Sequence, residues 1–352
     1  MIKTLELLKE LISAPGLSGF EGPVSQIITE AWEPITDELQ TSRVGSLHGL
    51  QRGTGAEPRP KILLATHMDA IGLMVAGYAG DCLRITSIGG VDHRVLPGQL
   101  VTVHGREALP GVVAQPPANL LPVEDAKAPV ILNHLLVDVG LTAEELRQKV
   151  RLGDVISFAQ EPLEMGKNIL AGHSLDNRAS VVALSLALED LQTRSHAWDV
   201  WAVATVQEEE TMAGAKTSTF GLRPDIAVAI DVTFAEGPGA PKHQAFPLGK
   251  GITLGWGSTV HPALYAKFKE IAQELEIPFA MEPLPGRSGT DADALQVSAM
   301  GVPTMVLSIP LRYMHTPVEM IGIKDVKRIG RLLAEFIVRL PLDFMETLVW
   351  ED

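Results

Sequence analysis

Apolar positions along the chain fall into two textures. In the first, long stretches repeat leucine, valine and isoleucine at helical spacing. The opening residues to Ile12 alternate Leu with Lys and Glu, and Asn177 to Leu191 carries Val181, Val182, Leu184, Leu186, Ala187 and Leu188 on a broad apolar face. Pro262–Leu275 and Ile323–Leu340 read the same way. Ser18 followed by Glu21 reads as a capping box that opens a further helix running to about Trp32. Between the helices lie short continuous apolar runs, Lys61–His67, Val200–Val206, Ile226–Val232 and Pro303–Ser308. Runs of that length bounded by turn residues are buried strands, and strands alternating with long helices predict an α/β fold, a mostly parallel mixed sheet flanked by helices.

The second texture runs from about Gly72 to Phe158. Short Val, Ile, Leu and Thr segments are broken there by Gly-Gly, Pro-Gly and Pro-Pro, which predicts a small β-rich unit inserted in the α/β domain. Near its end, Thr142–Val150 reads as a short helix capped by Thr142. The expected division is residues 1–72 and 164–352 for the larger domain and 73–163 for the insert. A length of 352 residues fits one large domain and a smaller one.

Charge removes some functions from consideration. The net charge is −14 and no Lys/Arg run tracks a phosphate backbone, so nucleic acid is not expected as a partner. No apolar run reaches the roughly 20 residues that cross a bilayer, so no membrane is expected. One cysteine, Cys82, excludes an internal disulfide and fits a reducing compartment. The N-terminal residues lack the apolar core of a signal peptide, and the cytoplasm is the expected location.

Ligands of open α/β sheets bind beyond the carboxyl ends of the strands, and three predicted strands carry polar, metal-binding residue types there. The first ends in His67-Met-Asp69, the second in Gln207-Glu208-Glu209-Glu210 and the third in Ala229-Ile-Asp231. Asp176 opens a helix, and His315 follows the last strand. A lone histidine at a strand end is usually a hydrogen-bonded structural residue, and a glutamate run is usually a solvated face. Several carboxylates gathered at the ends of core strands instead repel one another unless a cation offsets them. The mixed nitrogen and oxygen donors suit Zn²⁺, Co²⁺ or Mn²⁺ better than Ca²⁺, and two ions bridged by one carboxylate fit better than one.

The chain resembles the tetrahedral, or glutamyl and deblocking, aminopeptidases, dinuclear metallopeptidases sometimes labelled endoglucanases. The resemblance rests on Ala14-Pro-Gly-Leu-Ser-Gly19, Ala65-Thr-His-Met-Asp-Ala-Ile-Gly72, Leu175-Asp-Asn-Arg178, Thr205-Val-Gln-Glu-Glu209, Asp231-Val-Thr233, Gly289-Thr-Asp-Ala292 and His315-Thr-Pro-Val-Glu319. It implies that His67, Asp176 and Asp231 hold one metal and that Asp176, Glu209 and His315 hold the other, with Zn or Co as the metal. Glu208 would be the general base and Asp69 would orient the His67 ring. It also implies a cis peptide at Asp176-Asn177, a PDZ-like β-barrel insert that mediates dimerisation, and a dimer or dodecamer. The implied reaction is hydrolysis of an N-terminal peptide bond by a metal-bridging water.

The sequence departs from that family at Ala70, Asn177, Ser46 and Glu210. Glu210 adds negative charge near the base and is expected to raise the Glu208 pKa or shift metal preference. Two other functions compete with the peptidase. A glycosidase would use paired carboxylates in a cleft lined by aromatics, and leaves the histidines unexplained. A metal-stabilised peptide-binding scaffold would have no need of Glu208.

Overall fold

The computed structural model describes residues 2–120 and 130–350. Four strands run parallel at the centre of the main sheet in the order Asp199–Thr205, Lys61–His67, Ile226–Phe234, Thr304–Arg312. Their residues are almost all buried, as continuous apolar runs covered on both faces must be. The helices Leu175–Leu191 and Ile323–Val338 pack together over this centre. Phe268, from the helix Pro262–Glu274, stacks on Phe336 with ring centroids 4.0 Å apart.

The flanks differ from the centre. Leu47–Gln51 and Glu38–Thr41 extend one side antiparallel, and Glu319–Gly322, Ile169–Gly172 and Leu163–Met165 extend the other. A branch, Ile252–Gly257 with Phe279–Leu284, joins Thr304–Arg312. These short edge segments lack the long apolar runs that announce central strands, so the sequence pattern shows only the parallel centre.

The insert is a closed antiparallel barrel of six strands, in the order Gly72–Ala79, Cys82–Ile88, Leu136–Asp138, Ala108–Ala114, Leu100–His104, Val155–Phe158. Closure leaves no sheet edge unpaired. Leu73, Leu83, Val103, Val137 and Ile156 fill its own core. The helix Ala143–Lys149 leads into its last strand, and its N-terminus carries the capping box predicted there, with Thr142 paired to Glu145.

The other predicted capping box does not form. The helix Gly22–Trp32 begins without a side-chain cap. Glu21 turns away from Ser18 and accepts hydrogen bonds from the backbone N–H of Gly19 at 2.7 Å and of Gln207 at 3.1 Å. It ties the N-terminal loop to the turn that carries Glu208.

Arg178 anchors the same loop. Its guanidinium is fully buried and donates to the carbonyls of Leu11, Ala14, Gly16 and Met68. Burial lowers its pKa to about 10 against the pull of Asp69 and Glu319, so it stays charged at neutral pH. A Cβ at Gly16 would meet Arg178 Nη2 at 2.7 Å and Val24 Cγ1 at 2.6 Å, so the loop lies against the cation only with glycine there.

Candidate metal centre

Parallel pairing sets Thr205 opposite His67, which brings the ends of their two strands side by side. The His67 ring donates from Nδ1 to the main-chain carbonyl of Asp69 at 3.1 Å, which leaves Nε2 free to face the carboxylates. Nε2 lies 3.2 Å from Asp176 Oδ1 and 3.7 Å from Asp231 Oδ1. Asp231 sits within the strand Ile226–Phe234, which continues past the predicted end at Val232.

Asp176 lies in the entry to the helix Leu175–Leu191, where both it and Asn177 have non-helical backbone and the bond between them is cis, as the resemblance implies. Its second oxygen, Oδ2, is 3.6 Å from His315 Nε2, and the same nitrogen is 3.5 Å from Glu209 Oε2. The two oxygens of one carboxylate thus face two different histidines. Donor atoms of His67, Asp176 and Glu209 all lie within 4.8 Å of one another.

The barrel reaches this site through one turn. His315 Nδ1 donates to the Gly90 carbonyl at 3.0 Å, fixing which ring nitrogen points inward. A Cβ at Gly90 would meet that Nδ1 at 2.7 Å, so the contact requires glycine. Glu319, fully buried, accepts from the backbone N–H of Asp176 at 3.0 Å and of His315 at 3.1 Å, holding both segments in place. Sequence reasoning passes over Gly90 and Glu319 as separate roles, although Glu319 closes the His315-Thr-Pro-Val-Glu319 motif.

Asp69 works differently from the expectation. Its Oδ1 is 3.6 Å from the His67 ring, beyond a hydrogen bond. The carboxylate instead accepts from the backbone N–H of Glu208 at 3.0 Å and of Glu209 at 3.2 Å. It positions His67 through its carbonyl and the glutamate turn through its side chain. That turn starts at Gln207, whose φ of 58° is left-handed.

The electrostatics follow from burial. Glu208 is pushed up to about 9 by burial, opposed by His67 and reinforced by Asp231, Asp291 and Asp176. Burial and Asp176 likewise raise Glu209, and burial raises Asp231. Burial works against a protonated His67, but the carboxylates of Asp176, Asp231 and Asp69 outweigh it and hold the ring well above its usual range. Asp291 belongs to the Gly289-Thr-Asp-Ala292 motif, to which the sequence assigns no role. It is 2% exposed, accepts from Thr205 Oγ1 at 2.5 Å, and burial lifts it to about 7. Its other oxygen has no hydrogen-bond partner among the described residues.

Glu210 makes a contact of its own with the barrel. It is exposed at the cavity wall and its Oε1 accepts from Gly89 N–H of the barrel at 2.7 Å, while the largest effects on Glu208 come from burial, His67, Asp231, Asp291 and Asp176. A Glu210→Val variant is expected to show a pH–rate profile that superimposes on the wild type. A shift of the acid limb by more than about half a pH unit would restore Glu210 as a modulator of the base.

The departure at Asn177 has a local reason. Its Nδ2 donates to the Ile230 carbonyl at 2.8 Å, a bond that a carboxylate oxygen cannot make. His173, just before the helix Leu175–Leu191, is 6% exposed and bonds the Ser174 hydroxyl at 2.7 Å. Burial lowers its pKa to about 3, and it stays neutral.

A cavity of about 550 Å³ opens onto His67, Asp176, Glu208, Glu209, Asp231 and His315. Ser288, Gly289 and Thr290 from the loop 286–292 also line it.

An α/β sheet with a barrel insert and a buried cluster of histidines and carboxylates at its strand ends defines a metallopeptidase of the aminopeptidase type. The sequence pattern of the M42 glutamyl aminopeptidases matches residues 45–332, and the chain belongs to that family. A lysyl aminopeptidase of Pyrococcus furiosus is 34% identical over 348 residues, covering 96% of this chain and 98% of its own. A TET aminopeptidase from a marine sediment thaumarchaeon superposes with a TM-score of 0.93 at 31% identity, covering 98% of this chain and 99% of that one. The TET1 peptidase of Pyrococcus horikoshii, which can assemble into a tetrahedron or a large octahedral shell, superposes with a TM-score of 0.83 at 29% identity over 96% of this chain and all of that one. The chain is therefore a hydrolase acting on peptides, and the glycosidase and non-catalytic scaffold alternatives fall away. Among the described residues no helix is long and apolar enough to cross a membrane.

Proposed function

We propose that the chain removes N-terminal residues from peptides with two divalent cations per subunit, Zn²⁺ or Co²⁺. His67, Asp176 and Asp231 would hold one ion, and Asp176, Glu209 and His315 the other. The observation that carries this reading is Asp176, whose Oδ1 faces His67 and whose Oδ2 faces His315. The donor set fits such ions in kind, with nitrogen and oxygen mixed and a surplus of buried negative charge to neutralise. Bound cations supply Lewis-acid polarisation of the scissile carbonyl and bring the pKa of water toward neutrality.

The protein's own part is positioning and proton transfer. Glu208 projects into the cavity 3.9 Å from His67 Nε2, on a turn fixed by Asp69 and Glu21. It takes the proton of the attacking water and returns it to the leaving amine. Asp69, by holding both His67 and that turn, is a positioning residue.

Titrating chelator-stripped protein with Co²⁺ tests the count. Activity on aminoacyl anilides is expected to saturate at two equivalents per chain. Saturation at one equivalent would overturn the two-ion reading, and full activity after chelation would overturn metal dependence.

Assembly and location belong to the same reading. Solved relatives that form closed shells support a homo-oligomer, a dimer or a dodecamer, with residues 73–163 as the dimerisation domain on a catalytic unit of 1–72 and 164–352. The lone Cys82 thiol supports the cytoplasm. The family is described as glutamyl and one relative is named lysyl, so those names leave open which N-terminal side chain is preferred.

A further inference from the structure

Among the described residues, Glu282 is the one carboxylate in the cavity wall that lies away from the proposed metal ligands, their base and Glu210 at the barrel contact. It sits on the strand Phe279–Leu284 and is half-buried. Two threonines clamp it. Thr233 Oγ1 donates to Oε1, and Thr253 Oγ1 donates to Oε2 at 2.6 Å. A carboxylate offers about four acceptor sites, so two hydroxyls leave about half of its capacity unused.

Its distance from the chemistry is set by the strand. Asp231 and Thr233 are two residues apart on Ile226–Phe234, so their side chains share a face and lie roughly 6–7 Å apart along it. Glu282 is bonded to the second of them. A substrate whose scissile carbonyl lies beside Asp231 would therefore extend its first side chain toward Glu282, over a gap that the four-carbon stem of a lysine spans. Phe234, Leu284 and Met314 line the same cavity and give that stem apolar surface, while its charged end meets the carboxylate. Among the described residues that line the cavity, none is Lys or Arg.

We infer that Glu282 selects substrates whose N-terminal residue is cationic, lysine or arginine. The inference rests on the aminopeptidase reading of this cavity and deepens it. A glutamyl substrate would set its carboxylate against Glu282 with no cation to offset the repulsion. A leucyl substrate would leave Glu282 without a charged partner and cover part of its hydration.

The test compares lysyl, arginyl, leucyl and glutamyl p-nitroanilides on metal-loaded enzyme. Wild type is expected to favour Lys and Arg over Leu by about 10- to 100-fold in kcat/KM, with Glu poorest. Glu282→Gln keeps the shape and the threonine contacts. It should lose about 10- to 100-fold on Lys, chiefly in KM, and change Leu by no more than about two-fold. Glu282→Lys should raise activity on Glu and abolish it on Lys. A wild type that prefers Leu or Glu would overturn the inference, and so would equal losses on Leu and Lys in Glu282→Gln, which would reduce the carboxylate to a clamp between strands. Calorimetric binding of L-lysinol and L-leucinol separates this failure from that of the underlying reading. If no anilide is hydrolysed the aminopeptidase assignment fails, whereas selectivity stands or falls on whether Glu282→Gln loses its preference for lysinol.

Discussion

Replacing Glu208 with Gln is expected to lower kcat by about 10²- to 10⁴-fold while leaving the metal content at the wild-type value. The two halves of that expectation come from the different roles proposed for neighbouring carboxylates. Asp176, Asp231, Glu209 and the two histidines approach one another as donors, whereas Glu208 is 3.9 Å from His67 Nε2 and is charged or neutral according to its surroundings. Burial lifts its pKa to about 9 in the protein without cations. A neighbouring cation acts the other way and lowers it, toward the range in which a carboxylate accepts and returns a proton at neutral pH. The amide has nearly the same shape, so KM should move little. Steady-state kinetics with elemental analysis of the same preparation checks both halves. Loss of an ion in the variant would make Glu208 a ligand, and retention of more than about a tenth of kcat would pass the base to another group. Asp291 is the nearest such group by character, being buried, lifted to about 7 and open at one oxygen.

Asp291 also marks the limit of what the sequence shows. The central strands are legible because each is a continuous apolar run, and the ligand candidates are legible because each follows or ends one of those runs. Glu208, Glu209 and His67 could be grouped on that ground alone. Asp291 lies in a turn and Glu319 opens the short edge strand Glu319–Gly322, so their place in the site depends on tertiary closure, and nothing in local periodicity brings Asp291 to Thr205 or Glu319 to Asp176. Gly90 is further removed, since the barrel must fold and dock before its carbonyl can meet His315. Local chemistry also misled in one direction. Ser18 and Glu21 have the spacing of a capping box, but Glu21 finds backbone N–H groups at Gly19 and Gln207. Glu210 stands next to the proposed base and ligand in sequence, and its carboxylate bonds Gly89 of the barrel, a contact that no local pattern announces.

The same buried charges predict how the protein behaves when stripped of metal. Glu208 and Asp291 hold protons to about pH 9 and 7, and Glu209, Asp231 and Glu319 are raised as well, in each case chiefly through burial. A carboxyl with a folded pKa above its unfolded value binds more protons when folded over the interval between the two. Stability therefore falls as pH climbs through that interval. His67, also raised, contributes stability below its unfolded pKa and loses it as pH rises through the folded value, which is the same sign. Asp69, held low by His67 and two backbone N–H groups against its burial, acts oppositely, but its contribution is lost only in acid, as pH falls below the ordinary carboxylate range. Each tenfold change in proton affinity is worth about 1.4 kcal/mol. Metal-free protein is accordingly expected to lose about 10 °C in its unfolding midpoint between pH 5.5 and 8.5. Cations would replace the protons as the neutralising charge, and at a thousandfold excess over Kd each adds about 4 kcal/mol. The metal-loaded protein should thus be more stable at every pH in that window and show a much shallower fall. Differential scanning calorimetry of both forms across the window provides the measurement. A flat profile for the stripped protein would mean that the cluster does not carry the charge described here, and equal slopes in the two forms would place the titrating groups away from the metals. The expected pattern links the buried cluster to both stability and catalysis, because the carboxylates that destabilise the empty fold at neutral pH include Glu209 and Asp231, which would hold the ions in the working one, and Glu208, which would be its base.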